Sequence, residues 1–174
     1  EGEVKEITGL KAADTIDAED NPVIEYSLDV DDYFQKFKDY KEAESYFRKN
    51  LENARKSGNE YEIIRAINNL GMILYELGKY KDSLSFYEEG LDISQNNNDK
   101  TYQSYFLNNI GNANYSLSDY AKAIEYYEKS LKITLQVYPD HQHPDIALTY
   151  NNLGNVYYSL SDYAKAIEYY EKSL

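Results

Sequence analysis

Apolar residues recur along most of this chain at intervals of three and four, the spacing of one face of an α-helix. Ala43, Tyr46, Phe47 and Leu51 make the first clear stripe, and Ser57-Gly58-Asn59 closes it. Ile64–Leu77 makes a second, broken at Gly78. Tyr80–Ser94 makes a third, with Leu84, Tyr87 and Leu91 in phase. After the loop at Asn96–Asp99, helical runs follow at Ser104–Leu117, Tyr120–Gln136, Ile146–Leu160 and Tyr163–Leu174. Pro144 stands where a helix opens, a place where its missing N–H costs nothing. The polar intervals are short, so consecutive helices are predicted to pack as antiparallel pairs.

The runs are copies of one unit. Tyr115–Leu131, YSLSDYAKAIEYYEKSL, recurs without a single difference at Tyr158–Leu174, 43 residues on. Aligning Tyr40, Tyr80, Tyr120 and Tyr163 gives periods of 40, 40 and 43 residues. A fixed period of this size marks a unit that cannot bury its apolar face alone and stacks on its own copies. The prediction is an all-α solenoid of four antiparallel helix pairs, eight helices, with almost no strand. In the two identical copies the turns are Ser118-Asp119 and Ser161-Asp162, residue types that cap a following helix through a side-chain oxygen. The expected organisation is an acidic arm or linker over residues 1–25 and an array over 26–174. Its units fall at about 26–60, 61–100, 101–143 and 144–174.

The units resemble tetratricopeptide repeats, whose signature is W-x2-L-G-x2-Y, then A-x3-F, then P. The fourth unit has Tyr150, Leu153, Gly154 and Tyr157, then Ala166 and Tyr170. The third has Leu107, Ile110, Gly111 and Asn114, then Ala123 and Tyr127; the second has Ile67, Leu70, Gly71 and Leu74, then Ser83 and Tyr87. The first unit keeps Ala43 and Phe47 but has Asp31 where the glycine belongs, as a capping repeat would. The closing proline is missing from units two and three. The longer period, with NNLG and HPDIA before the last unit, is similar to the repeats of kinesin light chains and Pins-type adaptors. Related arrays also form the N-terminal portions of bacterial signalling proteins. The resemblance implies a right-handed superhelix, with the small Gly and Ala letting paired helices approach closely.

With Leu70, Ile110 and Leu153 set as position 7 of each unit, positions 4, 7, 8 and 11 share a 100° arc, which is the packed one. Positions 2, 5, 6, 9, 12 and 13 fall on the opposite side, and the resemblance implies that this side lines a concave groove. Positions 5 and 6 are Asn68-Asn69, Asn108-Asn109 and Asn151-Asn152. Position 9 is Met72, Asn112 and Asn155; position 12 is Tyr75, Tyr115 and Tyr158; position 2 is Arg65, Tyr105 and Leu148. The predicted peptide-binding residues are these asparagines with Arg65, Met72, Tyr75, Tyr105, Tyr115 and Tyr158. An asparagine offers both donors and acceptors, so a ladder of them suits an extended backbone whose own groups are unpaired. At position 6 a second role stays open, that of satisfying neighbouring backbone within the superhelix. Family members that clamp a C-terminal carboxylate use Lys and Arg at positions 2, 5 and 6. Only Arg65 fits that pattern here, so a chaperone tail is not the expected ligand.

The charge balance narrows the partners. The net charge is −13, and Glu1–Asp32 alone carries eleven acids against two lysines. Nucleic acids and anionic membranes need a basic footprint, so neither is expected. The acidic arm reads either as a solvated tail or as a segment that lies on the array or in a neighbour's groove. No cysteine, phosphate-binding glycine loop or nucleophile motif is present. Asp140, His141, His143 and Asp145 form the one cluster resembling a metal site, and it reads instead as a connecting loop with helix-capping acids. No enzyme activity, metal or cofactor is expected.

With no signal-peptide pattern and no apolar run of membrane length, a cytoplasmic location is expected. The absent initiator Met and a stop in mid-pattern imply a piece of something longer. The functional expectation is a non-catalytic scaffold that holds an extended peptide or protein segment. The alternatives are a sensory or dimerisation segment of a larger signalling protein, or an array that self-associates through the exposed face of its last helix.

Overall fold

The structure, a computed structural model, describes residues 40–139 and 143–174. Within them the chain folds as α1 (Tyr40–Ser57), α2 (Glu60–Glu76), α3 (Tyr80–Asn96), α4 (Lys100–Ser116), α5 (Tyr120–Val137), α6 (Pro144–Ser159) and α7 (Tyr163–Lys172). No strand occurs among the described residues. The eighth predicted helix, the leading helix of unit one, lies outside them, as does the acidic arm.

Most of the helices start on a side-chain cap, although α3, preceded by Lys79, has none. Asn59 accepts from the Tyr61 and Glu62 amides, Asp99 from Tyr102, Asp119 from Lys122 and Asp162 from Lys165. Such caps contribute about 1 kcal/mol each. The serines of the two predicted capping dipeptides do something else. Ser118 and Ser161 take φ of 62° and 61°, the left-handed turn that Gly78 makes one repeat earlier at 70°. The turn needs a positive φ, and only the aspartate caps.

Successive helices pack on one another, and α2 also touches α4, as α4 touches α6. No such approach links α1, α3, α5 and α7 among themselves. The first helices of the pairs therefore crowd together while the second helices fan apart. That asymmetry curves the stack and puts α2, α4 and α6 on its inner side. The result is a solenoid of antiparallel helix pairs.

Inside each pair a tyrosine ring lies on a bare glycine. A Cβ added to Gly71, Gly111 or Gly154 would come within 2.4–2.6 Å of the ring of Tyr87, Tyr127 or Tyr170 respectively. Tyr87 and Tyr127 are only 2% exposed. These contacts lie within a pair, between its first and second helices. Ala43 and Phe47 of α1 are as buried as their later counterparts.

The apolar core runs continuously from α1 to α4, through Phe47, Ile67, Leu70, Leu74, Phe106 and Ile110. It resumes around Ala123, Tyr127, Leu153 and Val156. Between the two lies a seam of buried hydroxyls, in which Ser130 Oγ donates to the Ser104 carbonyl at 2.8 Å. Outer-surface ion pairs join neighbouring units, Arg55 to Glu89 at 2.6 Å and Lys79 to Glu44 at 2.6 Å. Pairs of this kind contribute at most about 1 kcal/mol.

The identical copies end in different surroundings. Ile124 is half-buried beneath the next pair, whereas its counterpart Ile167 is 58% exposed.

Two outcomes follow for stability. Gly111→Ala gains about 1 kcal/mol of helix propensity. It also drives a methyl into a ring that is held by burial and by its own hydroxyl, an overpacking that costs about 1–3 kcal/mol. A net loss of about 0–2 kcal/mol is expected from urea unfolding; a variant more stable than the parent would refute the ring-on-glycine constraint. Glu44 has its carboxyl held below the ordinary value of 4.5 chiefly by the hydrogen bond from Lys79; burial opposes this, and the hydrogen bond from Arg48 adds to the lowering. A depressed carboxylate stabilises the fold above its unfolded value and loses that contribution as pH falls. The acid limb of the stability profile, below about pH 4.5, should therefore be shallower in Glu44→Gln than in the parent.

Candidate functional site

The inner side of α2, α4 and α6 carries the asparagines, and six of them, Asn68, Asn108, Asn109, Asn112, Asn152 and Asn155, are engaged by side-chain hydrogen bonds. Asn109 Nδ2 donates to Asn68 Oδ1 at 3.2 Å, across one repeat boundary. Across the next, Asn152 Nδ2 donates to Asn108 Oδ1 at 3.2 Å and to Asn112 Oδ1 at 3.4 Å. The amide at position 6 thus donates backwards to position 5 of the preceding unit. Its partner is a neighbouring amide rather than the backbone. Asn69, Asn109 and Asn152 are half-buried, and Asn151 is exposed.

Position 9 is fixed from within its own pair. Tyr127 donates its hydroxyl proton to Asn112 Oδ1 at 2.7 Å, and Tyr170 donates to Asn155 Oδ1 at 2.8 Å. These are the rings that sit on Gly111 and Gly154. With Oδ1 capped, the Nδ2 groups of Asn112 and Asn155 keep their donors with no protein partner among the described residues. In unit two Met72 stands at this position and its sulfur takes a weak bond from Asn68.

The position-12 tyrosines also reach forward. Tyr75 and Ser116 share a hydrogen bond of 2.8 Å, and Tyr115 and Ser159 one of 2.9 Å. Tyr158, at the end of the series, is 60% exposed. The serines were not legible as tyrosine partners, because a residue at position 13 gains one only when units stack in register.

A cavity of about 490 Å³ is lined by residues of α2, α4, α5 and α6. Arg65, Asn68, Asn69 and Met72 of α2 line it together with Tyr105, Asn108 and Asn109 of α4. Tyr75, Asn112, Tyr115, Asn151, Asn152, Asn155 and Tyr158 lie along the same inner side but outside this cavity. Six lining residues were not among the expected groove positions: Tyr102, Ser104, Ser130, Thr134, Asp145 and Thr149. For two of them the signal was there as a departure from the repeat, since Ser130 replaces the Gly90 of unit two and Thr149 replaces the Phe106 of unit three.

Charges on this side are few. The Arg65 guanidinium lies 5.8 Å over the Tyr61 ring. Burial, with the bond to Tyr61, pushes the Tyr102 hydroxyl up to about 12. Burial and then the Asp145 carboxylate raise that of Tyr105. Both phenols stay protonated donors across the physiological range.

The loop before α6 carries the expected metal-like cluster, of which Asp140 and His141 lie outside the described residues. His143 caps α6, with Nδ1 accepting the Asp145 amide at 3.3 Å, and its ring stacks on Tyr138 at 3.7 Å. Among the described residues no three His, Asp or Glu side chains gather as a metal site. No helix among them is long and apolar enough to cross a membrane.

Comparison with known proteins gives one family. The family model described as Tetratricopeptide repeat matches residues 32–96 and 102–174. No curated protein matches the sequence. The fold is similar to BtubC (BKLC) from P. vanneervenii, with a TM-score of 0.71 and 23% identity, covering 85% of this chain and 64% of that one. It is equally similar to a Rap protein complexed with competence and sporulation factor, with a TM-score of 0.71 and 18% identity, covering 83% and 39% of the two chains. The tetratricopeptide domain of Arabidopsis FLU matches with a TM-score of 0.60 and 18% identity, covering 66% and 93%. The chain thus spans less than two thirds of the length of the first two.

The tyrosine–asparagine bond is measurable without any ligand. In a double-mutant cycle, Tyr127→Phe and Asn112→Ala should show a coupling of about 0.5–1.5 kcal/mol in unfolding free energy. Strict additivity would mean that the hydroxyl does not hold the amide.

Proposed function

The chain belongs to the tetratricopeptide repeat family, and on that premise we propose that it is a non-catalytic scaffold that binds an extended segment of another protein along α2, α4 and α6. The observation that carries this reading is the orientation of the position-9 amides. Each has its oxygen held by a tyrosine hydroxyl, which leaves its two N–H donors without a protein partner among the described residues. Such donors are suited to the carbonyls of a peptide in extended conformation. The other amides hold one another across repeats and keep spare donors and acceptors for the same task. Fixing these groups beforehand reduces the ordering cost of binding. Tyrosines along the same side add apolar contact with little side-chain entropy to lose. The Rap protein in the comparison is complexed with a factor, in line with a concave stack acting as a receptor for another molecule.

Selection of a random peptide library on the folded array should yield binders that depend on this ledge. Replacing Asn108, Asn112, Asn151 and Asn155 by Ala removes several hydrogen bonds of about 0.5–1.5 kcal/mol each, so affinity should fall roughly 10- to 100-fold. Circular dichroism checks that the helices persist. Undiminished affinity in a folded quadruple variant would end the proposal.

A further inference from the structure

The junction between α3 and α4 is closed by an aromatic plug. Tyr102 and Phe106, one turn apart on α4, stack with ring centres 6.2 Å apart and planes inclined by 29°. The Phe106 ring fills the notch over Gly90, where an added Cβ would come within 2.3 Å of it. One period later the same three places hold Asp145, Thr149 and Ser130. None of these is large enough to plug the next junction, between α5 and α6. The cavity opens there, bordered by Asp145, Thr149 and Ser130 as well as by Tyr102 itself.

On the α5–α6 side of this cavity the Ser and Thr hydroxyls are one-sided, while the Tyr105 phenol stands beside Asp145 as a donor. Ser130 Oγ donates to the Ser104 carbonyl at 2.8 Å, Thr134 Oγ1 to the Ser130 carbonyl at 2.9 Å, and Thr149 Oγ1 to the Asp145 carbonyl at 2.7 Å. A hydroxyl has one proton to give and two lone pairs, so what remains at these oxygens is acceptor capacity. The Asp145 carboxylate adds a full negative charge. His143 Nδ1 lies 3.4 Å from it but already accepts a backbone proton, so it brings the carboxylate no hydrogen. No lysine or arginine pairs with Asp145 among the described residues. The arginine of the cavity, Arg65, stands on α2, which does not touch α6 because α4 lies between them. Leu148 and the Tyr105 ring supply apolar wall beside the acid.

We propose that this cavity is a specificity pocket for a lysine or arginine side chain of the bound segment, with Asp145 as the counter-ion. The proposal rests on the peptide-binding reading above and deepens it. A basic side chain matches both features of the pocket. Its methylene stem lies along the Leu148 and Tyr105 walls, as long cationic side chains commonly do. Its head group carries only donors, which the carboxylate and the hydroxyl oxygens accept. The volume, about 490 Å³, is ample for one such side chain. Specificity then arises where the repeat departs from its own pattern, while the amides that follow the pattern hold backbone.

The test uses a random peptide library displayed on phage, selected in parallel on three folded proteins. These are the parent, Asp145→Asn, and the double variant Ser130→Gly/Thr149→Phe, which rebuilds the plug of the preceding junction. On the parent, aligned binders should share a Lys or Arg at one fixed place. Both variants should lose that preference, and binders taken from the parent selection should weaken on them about tenfold or more. Parent-selected binders without a fixed basic residue would overturn the pocket, as would a basic preference that persists in Asp145→Asn. If those binders still weaken on Asn112→Ala and Asn155→Ala, the groove reading survives that failure. If binders need Asp145 but are indifferent to both asparagines, the pocket stands and the groove reading falls.

Discussion

Everything in this stack depends on a tyrosine ring laid on a bare glycine inside each helix pair. The contact requires a position without a Cβ on the first helix and a flat ring on the second. It sets how near the two helices can come, and close-packed interiors give little room to adjust. Because the same ring meets the same glycine in successive units, each pair has nearly the same shape, and like shapes stack. The constraint also extends beyond packing. In units three and four the same tyrosine carries its hydroxyl through to the inner surface, where it fixes an asparagine. One side chain therefore joins the core to the candidate binding surface, and the amide cannot be oriented unless the pair is assembled.

Curvature comes from a second-order effect of the same geometry. The first helices approach one another across repeat boundaries and the second helices do not. The inner helices consequently bring their polar side chains within hydrogen-bonding distance of the next unit. The amide-to-amide bonds between Asn68 and Asn109, and between Asn108 and Asn152, span that inner seam. So do the tyrosine–serine pairs at position 12. Each is worth little in net stability, since water competes for the same groups. Their larger effect is positional, holding neighbouring units in register so that the ledge presents a repeating set of donors.

Regularity and its interruption have different consequences here. Where the repeat is obeyed, as at Gly71, Gly111 and Gly154, the outcome is structural and uniform. Where it lapses, at the step from Tyr102, Phe106 and Gly90 to Asp145, Thr149 and Ser130, an aromatic plug is lost and the core is interrupted by hydroxyls. The longer period falls at the same junction. A surface built only from regular units would offer the same contacts at every step, so features that distinguish one ligand from another must come from such lapses.

The sequence by itself determined the helices, their pairing and which arc of each faces the interior. These follow from the 3.6-residue turn and from a beat repeated closely enough to align by eye. It also placed Asn108, Asn112, Asn152 and the position-12 tyrosines on the side away from the packed arc, because that too is a property of one helix at a time. What it could not decide was which of these polar groups spend their hydrogen bonds on each other. That depends on the offset between adjacent helices, a distance of a few ångströms that no single-helix periodicity encodes. The same limit explains why Ser130, Thr134 and Thr149 read as ordinary helix positions. Only when α4, α5 and α6 are brought together does a missing ring become a cavity, since empty space belongs to the assembly and not to any residue in it.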